Sequence, residues 1–498
     1  MAKKDGGVKT GLTRQMGILG LAATGICSMM GAGINVVPFM IQRNVPGIGP
    51  YVLPAFLVAA VPAILAAMAY AILSSAMPRA GGSYVHVSRS LNPYLGFVAS
   101  FSQWFGLSVA IGVVSYVVVP FLRDVAFGLG WAEIGEILEL GFVRLAISFA
   151  FLWIFVLVNI QGIKLYERTL IPLMFMMFGL GAIVIVVGFS HDQADFVSAI
   201  QVKEGRQIAV AASHVFDWKV FVTASALLFS SFIGFDSIAQ AGGEAKNPGK
   251  SLPIAIAIAI LTVGAFYFLF TWAVYHSVPW DFIAAESMQK DISAPGLLSY
   301  VLPPVWGVLI LAGAAIALIN DLPAMILSVS RLMFAWAEDG IFPKSVARVH
   351  PVRKTPATAI IVSGAMASIG ILGCHLASDF FLGIDIMVTS MLVNFLLMVI
   401  SVYSLQKRNP TLAKGIVVVK ERWKQVFIAV AGAGLLGSLL IVHIVKDLAS
   451  NPGAWYFHST FIWIVVMIVA TMIYFREKRK LTKQGINLTE RFSQLPPE

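Results

Sequence analysis

Apolar runs of about 20 residues, each long enough to cross the hydrocarbon core of a bilayer, recur along nearly the whole of this 498-residue chain. Twelve such spans are expected, near residues 16–42, 50–77, 94–122, 143–160, 170–189, 220–241, 253–276, 304–336, 356–374, 382–404, 426–445 and 459–475. Only 12% of the residues are charged and 58% are hydrophobic, whereas soluble domains carry about 25% charged residues. No polar face large enough to solvate so large a body exists, which excludes a soluble helical protein. The chain reads as an all-α membrane protein. A segment at 1–15 precedes the spans, one membrane domain covers 16–475, and a tail follows at 476–498.

Charge placement orients the spans. With both termini inside, the inner segments hold 27 of the 35 Lys and Arg residues, and the outer segments hold 8 basic against 14 acidic residues. The positive-inside rule therefore puts both termini in the cytoplasm. Topology also accounts for the net charge of +10. The basic residues lie scattered over seven short segments, so no nucleic-acid partner is expected. The N-terminal Lys3, Lys4 and Lys9 lead into a full span with no convincing cleavage site, unlike a removable signal peptide.

Two spans are interrupted. The first breaks at Gly31-Ala32-Gly33 and the sixth at Ser230-Ser231-Phe232-Ile233-Gly234-Phe235-Asp236. An unpaired backbone N–H or C=O in hydrocarbon costs several kcal/mol, so a broken helix persists only where it lines a polar cavity. Gly31 and Gly33 let the backbone leave the helix and approach a ligand closely. The half-helix that starts there offers free N–H groups and a positive dipole end, suited to a substrate carboxylate. Free carbonyls from Ser230 to Phe232 suit a substrate ammonium. A pair of breaks in corresponding spans is what a transporter with inverted repeats needs for a central site.

Other signals are weak. Cys27 and Cys374 both lie inside apolar spans, so neither a disulfide nor a metal site is expected. Gly243 to Ser251 has the look of a phosphate-binding loop but holds five residues between its glycines where the pattern needs four. ATP hydrolysis is not expected, nor is any enzyme activity or cofactor. Asn487-Leu488-Thr489 matches a glycosylation acceptor but falls on the inner tail.

Met30-Gly31-Ala32-Gly33-Ile34, Tyr70-Ala71-Ile72-Leu73 and Pro78-Arg79-Ala80-Gly81-Gly82-Ser83-Tyr84 stand in this order. They are followed by Asn159 to Lys164, Gly234-Phe235-Asp236, Glu244 to Pro248, Ser330-Arg331, Glu338 to Lys344 and Arg408-Asn409-Pro410. Jointly these stretches resemble the amino acid–polyamine–organocation superfamily of transporters, over residues 12 to 475. The resemblance implies a leucine-transporter-like fold of inverted five-helix repeats, about 16–189 and 220–404, with two further helices at about 426–475. It also implies that the α-amino and α-carboxyl groups of an amino acid bind at Met30, Gly31, Ala32, Gly33 and Ile34 and at Phe229, Ser230, Ser231, Phe232, Ile233 and Gly234. Some positions depart from the family. Ile72 replaces an acidic residue, Ala32 a serine or threonine, and Ser230 the aromatic gate of arginine–agmatine exchangers. Phe175 to Phe178 stand where some proton-coupled members carry a lysine.

Ionisable and strongly polar residues within spans are costly and mark function. Asp236 follows the second break, and Asp321 lies beside Asn320 in the middle of the eighth span. These three are the coupling or gating candidates. Asp321 either takes up a proton or holds Na⁺, with a structural role supported by Pro323 as the plain alternative. The hydroxyl ligands typical of the sodium site are missing here, which favours protons. Gln103 and Trp104 are either cavity-lining or core, His86 and His375 either pH sensors or interfacial, and Met174, Met176 and Met177 gap-fillers. The expected function is secondary transport of amino acids or related amines, by symport or antiport, in a bacterial inner (plasma) membrane. A polyamine carrier of the same fold and a non-transporting membrane sensor are the alternatives. Expected partners are a small-molecule substrate and membrane lipid.

Overall fold

The computed structural model describes residues 11–208, 214–377, 381–450 and 454–496. Among the described residues all the regular elements are helices, and eleven stretches are helical, long and apolar enough to cross a membrane. Where the first span is expected lie three shorter helices, α1 (Ile18–Met29) and those at Ala32–Asn35 and Val37–Asn44, outside the eleven. The others follow as α2 (Val52–Ala76), α3 (Pro93–Gly128), α4 (Gly141–Gln161), α5 (Ile163–Ser190) and α6 (Trp218–Leu228). Then come α7 (Pro248–Ser277), α8 (Pro304–Glu338), α9 (Ala357–Ala377), α10 (Phe381–Arg408), α11 (Arg422–Ala449) and α12 (Ser459–Lys483).

Several helices outrun their apolar stretch. α3 continues to Gly128, α5 already starts at Ile163, and α12 runs through Arg476, Lys478 and Lys480 to Lys483. Hydropathy marks where hydrocarbon ends, whereas a helix continues until its backbone is capped. The starts are built locally. The Asn92 side chain accepts the Leu95 N–H at 2.9 Å, with Pro93 at the position where a missing N–H is harmless. Asp217 caps α6 through the N–H groups of Lys219 and Val220, at 2.7 and 3.2 Å.

α3 lies at the centre, packed against α8, α9 and α10, while α1 packs on α5, α7 and α8. α11 and α12 lie outside, against α10. Large apolar side chains such as Phe142, Phe175, Val186 and Phe427 point outward, the arrangement a lipid solvent favours. In the methionine cluster Met174 and Met177 are buried gap-fillers, whereas Met176 is exposed.

One face carries both ends of the chain. There the N–H groups of Gln15 and Met16 donate to the Glu244 carbonyl at 2.9 Å, and Lys246 N–H donates to Met16. Two buried ion pairs close this face. Arg331 binds both carboxylate oxygens of Glu244 at 3.0 and 2.6 Å, and Arg89 grips Asp339 at 2.5 and 2.9 Å. On the opposite face Arg43 pairs with Asp291 at 2.8 Å, and Glu286 with Lys290 and Arg206 at 2.6 and 3.3 Å.

Candidate functional site

α1 stops at Met29, and Met30 leaves helical geometry. The Met29 carbonyl at this end accepts the Tyr267 hydroxyl of α7 at 2.6 Å. A methyl group on Gly31 would strike the Asp321 carboxylate, and one on Gly33 the Tyr267 hydroxyl. Both glycines are therefore required by close approach of neighbouring side chains.

The second break has its own device. α6 ends in a 3-10 turn at Phe229–Phe232, Ile233 is extended, and Gly234 has φ +136°. Asp236 accepts the Gly234 N–H at 3.2 Å and the Gln103 side-chain amide. A helical turn resumes at Ser237–Gln240. The breaks touch: Gly234 lies against the Ser28 carbonyl, and the Ser28 and Ser237 hydroxyls pair at 3.0 Å.

Between them lies a cavity of about 70 Å³. Ser28, Met29, Gly31, Gly33 and Val37 line it from the first break, and Ser230 and Ile233 from the second. α8 adds Asp321 and Met325, α3 adds Ala110, Val113, Val114 and Val117, and α10 adds Ile384 and Met387. Asp321 is the only ionisable group among the described lining residues. It is buried, and its Oδ1 has no hydrogen-bond partner among the described residues.

The remaining expected residues fall elsewhere. Met30 and Ile34 turn into a separate void of about 20 Å³ beside Met177 and Leu180. The side chain of Ala32 lies outside the described residues. Phe229 packs edge-on to Phe395, and Phe232 against Phe56 at 5.1 Å between ring centroids. The Ser231 hydroxyl is buried without a partner among the described residues. Asn320 donates to Cys27 Sγ at 3.0 Å. It does not line the cavity that Asp321 borders. Pro323 turns its carbonyl to Asn159 at 3.2 Å and gives Asp321 no hydrogen bond.

Asp236 is not on the cavity wall. It anchors a chain of buried side chains leading to the face that carries the termini. Asn394 donates to Gln103 Oε1 at 3.2 Å and to the Tyr70 hydroxyl at 2.7 Å; Tyr70 meets Ser83 at 2.6 Å, and Gln240 donates to Ser83 at 2.7 Å. Of the two expectations for Gln103, the core holds: it is buried away from the cavity lining, where it donates to Asp236. Tyr70 stands in a family-like stretch to which the sequence assigns no role, and the sequence reading does not reach Asn394 or Tyr267; Asn394, an amide within an apolar span, carries a readable signal. Trp104 is core, donating to Ser363 at 3.1 Å and packed on Phe101 and Trp336. His86 is buried with Nε2 at the Met77 carbonyl, and burial pushes its imidazole down from 6.5 to about 3. That excludes it as a sensor near neutral pH. His375 meets the Tyr116 hydroxyl at 3.1 Å.

A family model described as amino acid permease matches residues 16–476. The cationic amino acid transporter 4 of Mus musculus is 27% identical over 74% of this chain and 56% of its own length, so the chain spans little more than half of that relative. The branched-chain amino acid permease BcaP of Bacillus subtilis is 25% identical over 95% of each chain. The low-affinity putrescine importer PlaP of Escherichia coli is 25% identical over 78% of this chain and 80% of its own.

Proposed function

The chain belongs to the amino acid permease family, and from that premise we propose that it carries amino acids, or closely related amines, across a membrane by alternating access. One observation carries the reading: the two interrupted segments meet at a cavity that Gly31, Gly33, Ser230 and Ile233 line. Backbone N–H groups at the first break suit an α-carboxylate; at the second the Ser230 carbonyl already accepts the Ile233 N–H at 3.1 Å, which leaves the carbonyls of Ser231 and Phe232 for an α-ammonium. Two five-helix repeats, about 16–189 and 220–404, would each contribute one break, with α11 and α12 outside them. The distribution of basic residues supports a cytoplasmic placement of the face with both termini.

Asp321 is the proposed coupling group. An ionised carboxylate without a partner is strongly disfavoured inside a closed cavity, so it must be neutralised before the cavity shuts. A proton serves this role with a zwitterionic substrate, in symport or exchange; Na⁺ is the alternative. A cationic amine would neutralise it directly, and this favours a polyamine carrier as the second reading.

Purified protein in proteoliposomes tests the proposal. Saturable uptake of a labelled amino acid, accelerated by the same amino acid inside, is expected. Binding in a thermal-shift assay without any flux would make the protein a sensor instead. Uptake driven by a pH gradient without sodium supports the proton; saturable sodium dependence rejects it.

A further inference from the structure

We propose that the cavity selects a small aliphatic side chain and rejects cationic and aromatic ones, an inference that rests on the amino acid reading above. The wall opposite the breaks is formed by Ala110, Val113, Val114 and Val117 of α3 with Ile384 and Met387 of α10. All six are saturated and uncharged. The polar lining groups, Ser28, Ser230 and Asp321, lie on the broken segments and on α8, and Asp321 is pressed against Gly31. The charged end of an amino acid therefore meets the breaks while its side chain enters the aliphatic wall. A lysine or arginine side chain, or the second ammonium of a diamine, would be desolvated there without a counter-charge. At about 70 Å³ the cavity favours compact side chains, and a ring requires a larger displacement of α3 or α10 than a branched aliphatic chain does.

Competition against a labelled substrate in proteoliposomes is the test, with alanine, valine, leucine, isoleucine, phenylalanine, lysine, arginine and putrescine as competitors. The aliphatic amino acids should compete at least about tenfold better than the others, the size of discrimination an apolar pocket supplies. Ala110→Val should then shift preference towards alanine, and Val114→Ala towards leucine. Lysine, arginine, putrescine or phenylalanine competing best overturns the selectivity but leaves the transport reading standing. Failure of every competitor to bind or move sinks the transport reading itself.

A different observation carries a second inference: residues 488–496 form a latch on the face that holds both termini. Arg491 donates to the Glu338 carbonyl at the end of α8 at 2.7 Å. Arg89, whose guanidinium already holds Asp339, donates from Nε to the Gln494 carbonyl at 3.1 Å and lies 4.8 Å over the Phe492 ring, which is buried. Arg79 donates to the Pro496 carbonyl at 3.2 Å, and Asn409 beyond α10 to the Ser493 carbonyl at 2.9 Å. The segment thus ties together α8, α10 and the helix Gly82–Ser90, which must separate if this face opens. Deleting 488–498 should raise the counterflow exchange rate several-fold, and Phe492→Ala, which keeps the backbone contacts, should raise it by less. An unchanged or lowered rate in both variants overturns the latch.

Discussion

Asp321 is the residue whose placement demands most explanation, because its Oδ1 is buried without a hydrogen-bond partner among the described residues and the side chain borders the cavity. Asp321→Asn should abolish gradient-driven accumulation while exchange of internal for external substrate persists. Accumulation that survives would remove Asp321 from the coupling step. Tyr267 supports the same break from the other side. Losing its hydroxyl leaves the Met29 carbonyl unsatisfied, so Tyr267→Phe should destabilise by about 1–3 kcal/mol. Gly33→Ala should cost about as much through overpacking. The Phe variant also removes the atom that an alanine at 33 would strike, so the double variant should be more stable than the sum of the two predicts; thermal melts of the four proteins give the coupling. At His86 the folded imidazole titrates near 3 and the unfolded one near 6.5. Its contribution to stability is complete above 6.5 and fades as pH falls through that window. His86→Gln should flatten the melting-temperature slope between pH 7 and 5 and leave the pH profile of uptake unchanged.

At the scale of elements, the breaks were legible because their glycines and serines cluster in stretches of family-like pattern, whereas the scattered glycines and serines of α3 leave that helix unbroken. What fills the gaps was not. Tyr267 lies 238 positions from the carbonyl it bonds, and nothing local to the sequence around Phe266 and Phe268 separates it from packing aromatics. Asp236 was readable as costly, yet its service to the Gly234 N–H depends on a backbone bend that only the folded turn reveals. Asn320 and Asp321 read as a pair in sequence and part in space, since Asn320 turns to Cys27 while Asp321 borders the cavity. Helix ends were misjudged at α3, α5 and α12 for the reason that apolarity and helicity are different properties. Gly234 tests the second break: Gly234→Ala places a side chain at φ +136° and against the Ser28 carbonyl. The backbone strain alone is on the order of 1–3 kcal/mol, and binding should weaken together with stability in a titrated thermal-shift assay.

Across the described residues, ion pairs stand at both faces and a line of hydrogen-bonded side chains runs from Asp236 to the face with the termini, inside an envelope of outward-facing apolar side chains. Breaking one partner of the buried Arg331–Glu244 pair should cost roughly 3–5 kcal/mol, whereas replacing both by apolar residues of similar volume should recover most of it. Melts of Arg331→Met and Arg331→Met/Glu244→Leu give that difference. The two faces also differ in how their ion pairs meet water. Arg89 and Asp339 are almost wholly withdrawn from solvent, with side-chain exposures of 0% and 1%, while Arg43 and Asp291 stand at 30% and 60%. Mobile ions weaken exposed pairs and hardly reach buried ones. Ionic strength is therefore an asymmetric lever under the alternating-access proposal: concentrated salt should loosen the face opposite the termini more than the other, and tilt the resting population towards one side of the membrane without any ligand.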